Sequence, residues 1–136
     1  GAHLAISDTH FLYPDLIVTC SLEDREAERI LRHPVVIIEI LSPSSFDYDR
    51  RTKLKLYQRL PSLQHYVLVT QDYCWVECLT REPSGKAPTE DKWTLQAFEL
   101  LTDRLPLPAI GIEVPLAELY AGIQIEQGPY LRKESN

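Results

Sequence analysis

Apolar residues come in short runs set apart by polar and proline-bearing stretches. Leu16-Ile17-Val18-Thr19-Cys20 is the centre of a predicted strand over 11–20. A second run, Val35-Val36-Ile37-Ile38-Glu39-Ile40-Leu41, is short, rich in β-branched residues and bounded by Pro34 and Ser42-Pro43, which predicts a buried strand over 35–41. His65-Tyr66-Val67-Leu68-Val69-Thr70 predicts a third strand. Gln71-Asp72 reads as a tight turn into a hairpin partner, Tyr73 to Leu79. Trp93 to Phe98 alternates and predicts another strand. Residues 47–60 read as a helix that stops before Pro61. The polar stretch 21–29 reads as a surface loop or short helix, and 83–91, with Pro83, Gly85 and Pro88, as a loop. Val114 to Tyr120 predicts a short helix with Pro115 in its first turn, and 127–136 a polar, flexible tail. This order predicts an α/β fold, a mixed central β-sheet flanked by helices. The helix between the 35–41 and 65–70 strands permits a right-handed parallel crossover.

Length and composition narrow the setting. At 136 residues the chain fits one domain over 1–136, without internal repeats. No apolar run approaches the roughly 20 residues that span a bilayer. The start, Gly1-Ala2-His3-Leu4, lacks the basic and apolar regions of a signal peptide. Cys20, Cys74 and Cys78 include no CxxC pair and read as small hydrophobes, Cys20 and Cys78 in or beside strands, in a reducing cytoplasm. The net charge of −6 argues against a domain that holds nucleic acid by charge alone. It leaves room for a nuclease, whose acids hold cations.

The chemistry lies in two acids attached to apolar strands, Asp15 and Glu39. A carboxylate on a strand buried on both faces needs a partner, either a metal ion or a lysine. On the 47–60 helix, Tyr57, Leu56, Leu60 and Asp49 all fall within about 60° of Lys53, while Arg51, Lys55 and Arg59 fall on the far side. Lys53 therefore shares the face that docks on the sheet. Asp15, Glu39 and Lys53 suit phosphodiester hydrolysis: the carboxylates hold Mg²⁺, and the lysine positions a water or offsets developing charge. The same residues also read as a structural salt bridge at the strand–helix junction, and spacing alone does not choose.

Other candidates have plainer readings. Ser42-Pro43-Ser44-Ser45 lacks a Gly-x-Ser-x-Gly context and reads as a turn and helix cap rather than a nucleophile loop. Asp47 and Asp49 suit a helix N-terminus better than a second metal site. His3, His10, His33 and His65 show no mutual metal spacing; His10 alone lies close to the Asp15 strand. Tyr57 reads as core, and Trp75 and Trp93 as sheet-packing residues rather than base-stacking platforms.

The segments Tyr13-Pro14-Asp15-Leu16-Ile17-Val18-Thr19-Cys20, Pro34 to Ser45, Asp49-Arg50 with Lys53 and Tyr57, and Leu60 to Val69 together resemble the Uma-type restriction endonucleases. That family is abundant in cyanobacteria and belongs to the PD-(D/E)XK nuclease superfamily. Trp93 and the Val114 to Tyr120 segment resemble its later part. The resemblance implies a restriction-endonuclease-like core, DNA as partner, and Asp15 and Glu39 as metal ligands. Mg²⁺ or Mn²⁺ is the implied cofactor, with the Ile40 carbonyl as a further ligand. The superfamily's lysine two residues after the second acid is replaced by Leu41, and Lys53 matches the position to which it migrates in families of this type. Members usually carry more sheet before the Pro-Asp strand, so a shortened N-terminal part is expected, with an exposed edge suited to a homodimer. The rival expectation is a non-catalytic interaction or dimerisation module of the same fold, in which Lys53–Glu39 is a buried pair.

Overall fold

A computed structural model describes residues 3–7, 11–12, 14–26, 30–41 and 46–123. The elements run β1 (His3–Ala5), β2 (Phe11–Leu12), β3 (Leu16–Thr19), α1 (Leu22–Glu26), β4 (Ile30–Leu31), β5 (Pro34–Leu41) and α2 (Phe46–Tyr57), followed by β6 (His65–Thr70), β7 (Val76–Glu82), β8 (Lys92–Phe98), β9 (Arg104–Leu107), β10 (Ile112–Pro115) and α3 (Leu116–Ile123). The main sheet has five strands in the order β3-β5-β6-β7-β8. β5 and β6 are parallel, joined through α2, and the other neighbours are antiparallel, so the sheet is mixed as expected. β2-β1-β4 form a small second sheet, and β9-β10 a two-stranded ribbon.

Side-chain alternation along β5 separates two cores. Ile37 and Leu41 face α2, where they meet Tyr57, Leu60, Leu63, Tyr66, Leu68, Leu79 and Leu4. Val36 and Ile38 face the opposite way, toward Leu105, Leu107, Leu116 and Tyr120. Glu39 therefore falls on the α2 side, between two core residues of the same strand.

Several elements differ from expectation, each for a local reason. The predicted strand over 11–20 divides into β2 and β3 around Pro14 and Asp15, and the two pieces join different sheets; proline fixes φ and supplies no N–H to a ladder. Helix α2 ends at Tyr57, and turns carry the chain on to Pro61. The hairpin turn after β6 occupies 71–75 rather than two residues. Pro115 closes β10 instead of opening a helix, opposite Arg104 in a ribbon with open edges where a missing donor is tolerated. Cys20 is exposed, whereas Cys74 and Cys78 are buried.

Two buried polar clusters fix elements in place. Arg81 of β7 is 6% exposed. Its guanidinium donates to the carbonyls of Gln58, Leu60, Leu63 and Pro88 and to Asp91 Oδ2 at 2.7 Å. It also lies 4.6 Å from the Trp93 ring centre, its cross-strand neighbour on β8, which gives Trp93 a packing role. Arg81 thus ties the end of α2 to the sheet. On the other face Tyr120 of α3 accepts from the Trp75 N–H at 2.9 Å and sits within 2.9 to 3.2 Å of the Tyr73, Thr70 and Trp75 carbonyls. Burial pushes its pKa up to about 12.

Candidate active site

Glu39 is 2% exposed, and among the described residues three donors hold its carboxylate. Lys53 Nζ donates to Oε1 at 3.1 Å, Tyr57 Oη to Oε1 at 2.9 Å, and Tyr66 Oη to Oε2 at 2.7 Å. A carboxylate offers about four lone-pair sites, so three are occupied. The two tyrosine rings meet edge to face, 4.9 Å between centres, which fixes both hydroxyls toward the acid. Burying a lone carboxylate costs several kcal/mol, roughly; the ammonium and two hydroxyls offset that cost.

The helix-face argument holds for Lys53. Its side chain is 28% exposed and reaches Glu39, while Arg51, Lys55 and Arg59 are exposed. The apolar face is turned slightly from the expected one: Leu54 packs on the core with Tyr57 and Leu60, and Leu56 lies at the margin with the basic residues.

Asp15 is exposed rather than buried, and lies just before β3 rather than within it. The ladder with β5 starts at Leu16 opposite Ile38. One step beyond, the Asp15 carboxylate takes the place of a main-chain acceptor, its Oδ2 receiving the Ile40 N–H at 2.8 Å. The carboxylate thus sits beside the peptide that follows Glu39. The amide and carbonyl of one strand residue leave on the same side, so the Ile40 carbonyl points past the end of the same ladder. Asp15, Glu39 and Lys53 all meet at the Glu39-Ile40 dipeptide.

The groups around this dipeptide that could ligate a cation are oxygens: the second Asp15 carboxylate oxygen, the Glu39 carboxylate and the Ile40 carbonyl. Hard oxygen ligands from one or two carboxylates, completed by water and substrate phosphate, suit Mg²⁺. Among the described residues no group of three or more His, Cys, Asp or Glu side chains is placed to hold a metal.

Tyr66 is the site residue that sequence reasoning missed, and Tyr57, read as core, is both core and polar partner. The signal lay in the parallel register of β5 and β6: Tyr66 pairs with Ile37, and Leu68 with Glu39, so Tyr66 shares the face of the acid one step away. The other candidates fall elsewhere. His33 is exposed, 3.3 Å from Glu23. His65 is buried, with Nδ1 3.0 Å from Thr80 Oγ1 and Nε2 accepting from the Ala109 N–H at 3.3 Å. Trp75 donates to Glu77 at 3.1 Å. Asp47 and Asp49 lie in the first turn of α2. Residues 42–45, His10 and residues 127–136 lie outside the described residues, as do the side chains of His3, Asp47 and Asp49. Sequence reasoning also missed Asp24, a buried acid that receives the Thr19 hydroxyl and the Arg32 and His33 amides and so fixes α1 beside β4.

A protein-family model described as "Putative restriction endonuclease" (Uma2) matches residues 2–117. The "Uncharacterized protein slr1290" of Synechocystis sp. is 30% identical over 118 residues, covering 87% of this chain and 58% of that protein. A second Synechocystis protein, "Uncharacterized protein sll1609", is 32% identical over 75 residues, covering 53% of this chain and 41% of its own length. The chain thus spans well under two thirds of the length of these relatives. Among the described residues no helix is long and apolar enough to cross a membrane. With its mixed sheet and a family match across most of its length, the chain belongs to the Uma2 family.

Proposed function

We propose that this protein hydrolyses DNA phosphodiester bonds with a divalent cation, Mg²⁺ or Mn²⁺, at the Asp15–Glu39–Lys53 site. The observation that carries the reading is the meeting of two acids and one lysine at a single dipeptide, with Asp15 on the Ile40 amide at 2.8 Å and Lys53 on Glu39 at 3.1 Å. Asp15, Glu39 and the Ile40 carbonyl would hold the cation, which supplies Lewis-acid polarisation of the phosphoryl group and an activated water. Tyr57 and Tyr66 orient Glu39. Lys53, partly open to solvent, orients the attacking water by hydrogen bonding and offsets negative charge developing on the phosphoryl oxygens. The exposed edge strand β3, with Leu16 52% exposed, supports a homodimer, which sedimentation would test.

One observation favours a second reading. Three donors already occupy Glu39, as in a structural ion pair within a non-catalytic module. Incubation with supercoiled plasmid separates the two. Nicking that needs Mg²⁺ or Mn²⁺ and stops on chelation is expected for the nuclease. Intact plasmid at millimolar metal overturns it.

A further inference from the structure

The acidic net charge argued against a charge-driven nucleic-acid surface, yet one face of α2 departs from that average. Arg51 and Lys55 stand four residues apart on the side of α2 away from the sheet, and Arg59 follows four residues on, in the turn just past the helix end; all three are exposed. With Thr52 and Leu56 they line an open cleft of about 480 Å³. Among the described residues none of the three forms an ion pair, in a chain with 20 acidic and 14 basic residues. The four-residue step from Arg51 to Lys55 advances about 6 Å along the helix, close to two nucleotides of one DNA strand at roughly 3.4 Å each.

We infer that this outer face of α2, with the turn that follows it, is a docking surface for the phosphate backbone of duplex DNA. The inference rests on DNA being the substrate, but not on which residues cleave it. Charge complementarity selects the occupant. Arginine meets phosphate through paired N–H donors, and Lys55 adds a point charge. A membrane-bound helix turns a broad apolar face to the lipid, but among the described side chains of α2 Leu54 and Tyr57 are packed on the sheet, and Leu56 alone stands with the basic residues. A protein partner draws its binding energy from aromatic and aliphatic anchors, and this cleft offers only Leu56. Phosphate needs charge alone. Lys53 faces the site from the other side of the same helix, so the three cations hold phosphates other than the scissile one.

The test is binding of a fluorescent duplex to the full chain in chelator, across a salt series. The wild type is expected to bind at low salt, with log K falling linearly against log salt. The triple variant Arg51→Gln/Lys55→Gln/Arg59→Gln should melt as the wild type does and bind more weakly. Its slope should be shallower by about 2 to 3, because each lost phosphate contact removes about 0.9. An unchanged slope, no wild-type binding at 50 mM salt, or equal displacement by polyglutamate would overturn the inference. Cleavage is scored separately. A wild type that binds with the expected slope but never cleaves sinks the catalytic reading and leaves this surface standing. Cleavage with an unaltered triple variant does the reverse.

Discussion

Tyr66 and Glu39, on adjacent parallel strands, are joined by a 2.7 Å hydrogen bond from the phenol to Oε2. The acid that looks out of place in an apolar strand is therefore accommodated by one donor from the next strand and two from α2, Tyr57 and Lys53.

Removing that hydroxyl tests the accommodation. Tyr66→Phe leaves a buried carboxylate oxygen short of a donor, and the expected loss is about 1–3 kcal/mol. Urea denaturation measures it. Tyr66→Phe in a chain already carrying Glu39→Gln should cost less, since the lost partner is no longer a charge. Equal losses in both backgrounds would mean that the hydroxyl does not act through the acid.

Arg81 holds the C-terminal end of the same helix, just past Tyr57. Arg81→Met leaves several buried carbonyls at the end of α2 and beyond without their donor, and should destabilise by about 3 kcal/mol or more. Arg81→Lys should recover only part, because an ammonium cannot reproduce the planar fork. Thermal melts of the two variants check this. A lysine variant as stable as the wild type would show that charge, not geometry, holds the junction.

His65 gives a pH dependence with a definite sign. Burial lowers its pKa below the ordinary 6.5, and its Nε2 is already an acceptor for the Ala109 amide. Between the depressed value and 6.5 the unfolded chain binds more protons than the folded one. Stability from this group is therefore full above pH 6.5 and declines as pH falls through that window. Urea midpoints at pH 7.5 and 5.5 measure the decline, and His65→Gln should shrink it. An undiminished decline in that variant would assign the effect to other groups.

The site was legible where a residue's role follows from position on one element. The β-branched run ending at Pro43 marked β5, and helical spacing set Lys53 apart from Lys55. Tyr66 was not legible, because its role depends on the register between strands joined through a helix. Asp15 was half legible. It was correctly tied to the β3 region but expected in a buried strand, and nothing in a linear pattern says that its carboxylate replaces a missing ladder acceptor at Ile40. Pro106 hid β9 because an isolated ribbon tolerates a proline that a central strand does not. The basic face of α2 was visible as spacing, but the whole-chain charge masked it.

The claim that Asp15 and Glu39 form a cation site is tested most directly at Asp15, because an exposed position can change without unfolding the core. Asp15→Asn keeps an oxygen to accept the Ile40 N–H and removes the charge. Calorimetric titration with Mn²⁺, alongside Mg²⁺-dependent plasmid nicking, compares it with the wild type. The account predicts a variant that melts like the wild type, binds Mn²⁺ at least tenfold more weakly and nicks plasmid at least a hundredfold more slowly, about 2.7 kcal/mol of lost transition-state stabilisation. Unchanged metal affinity and nicking in a folded Asp15→Asn chain would contradict it.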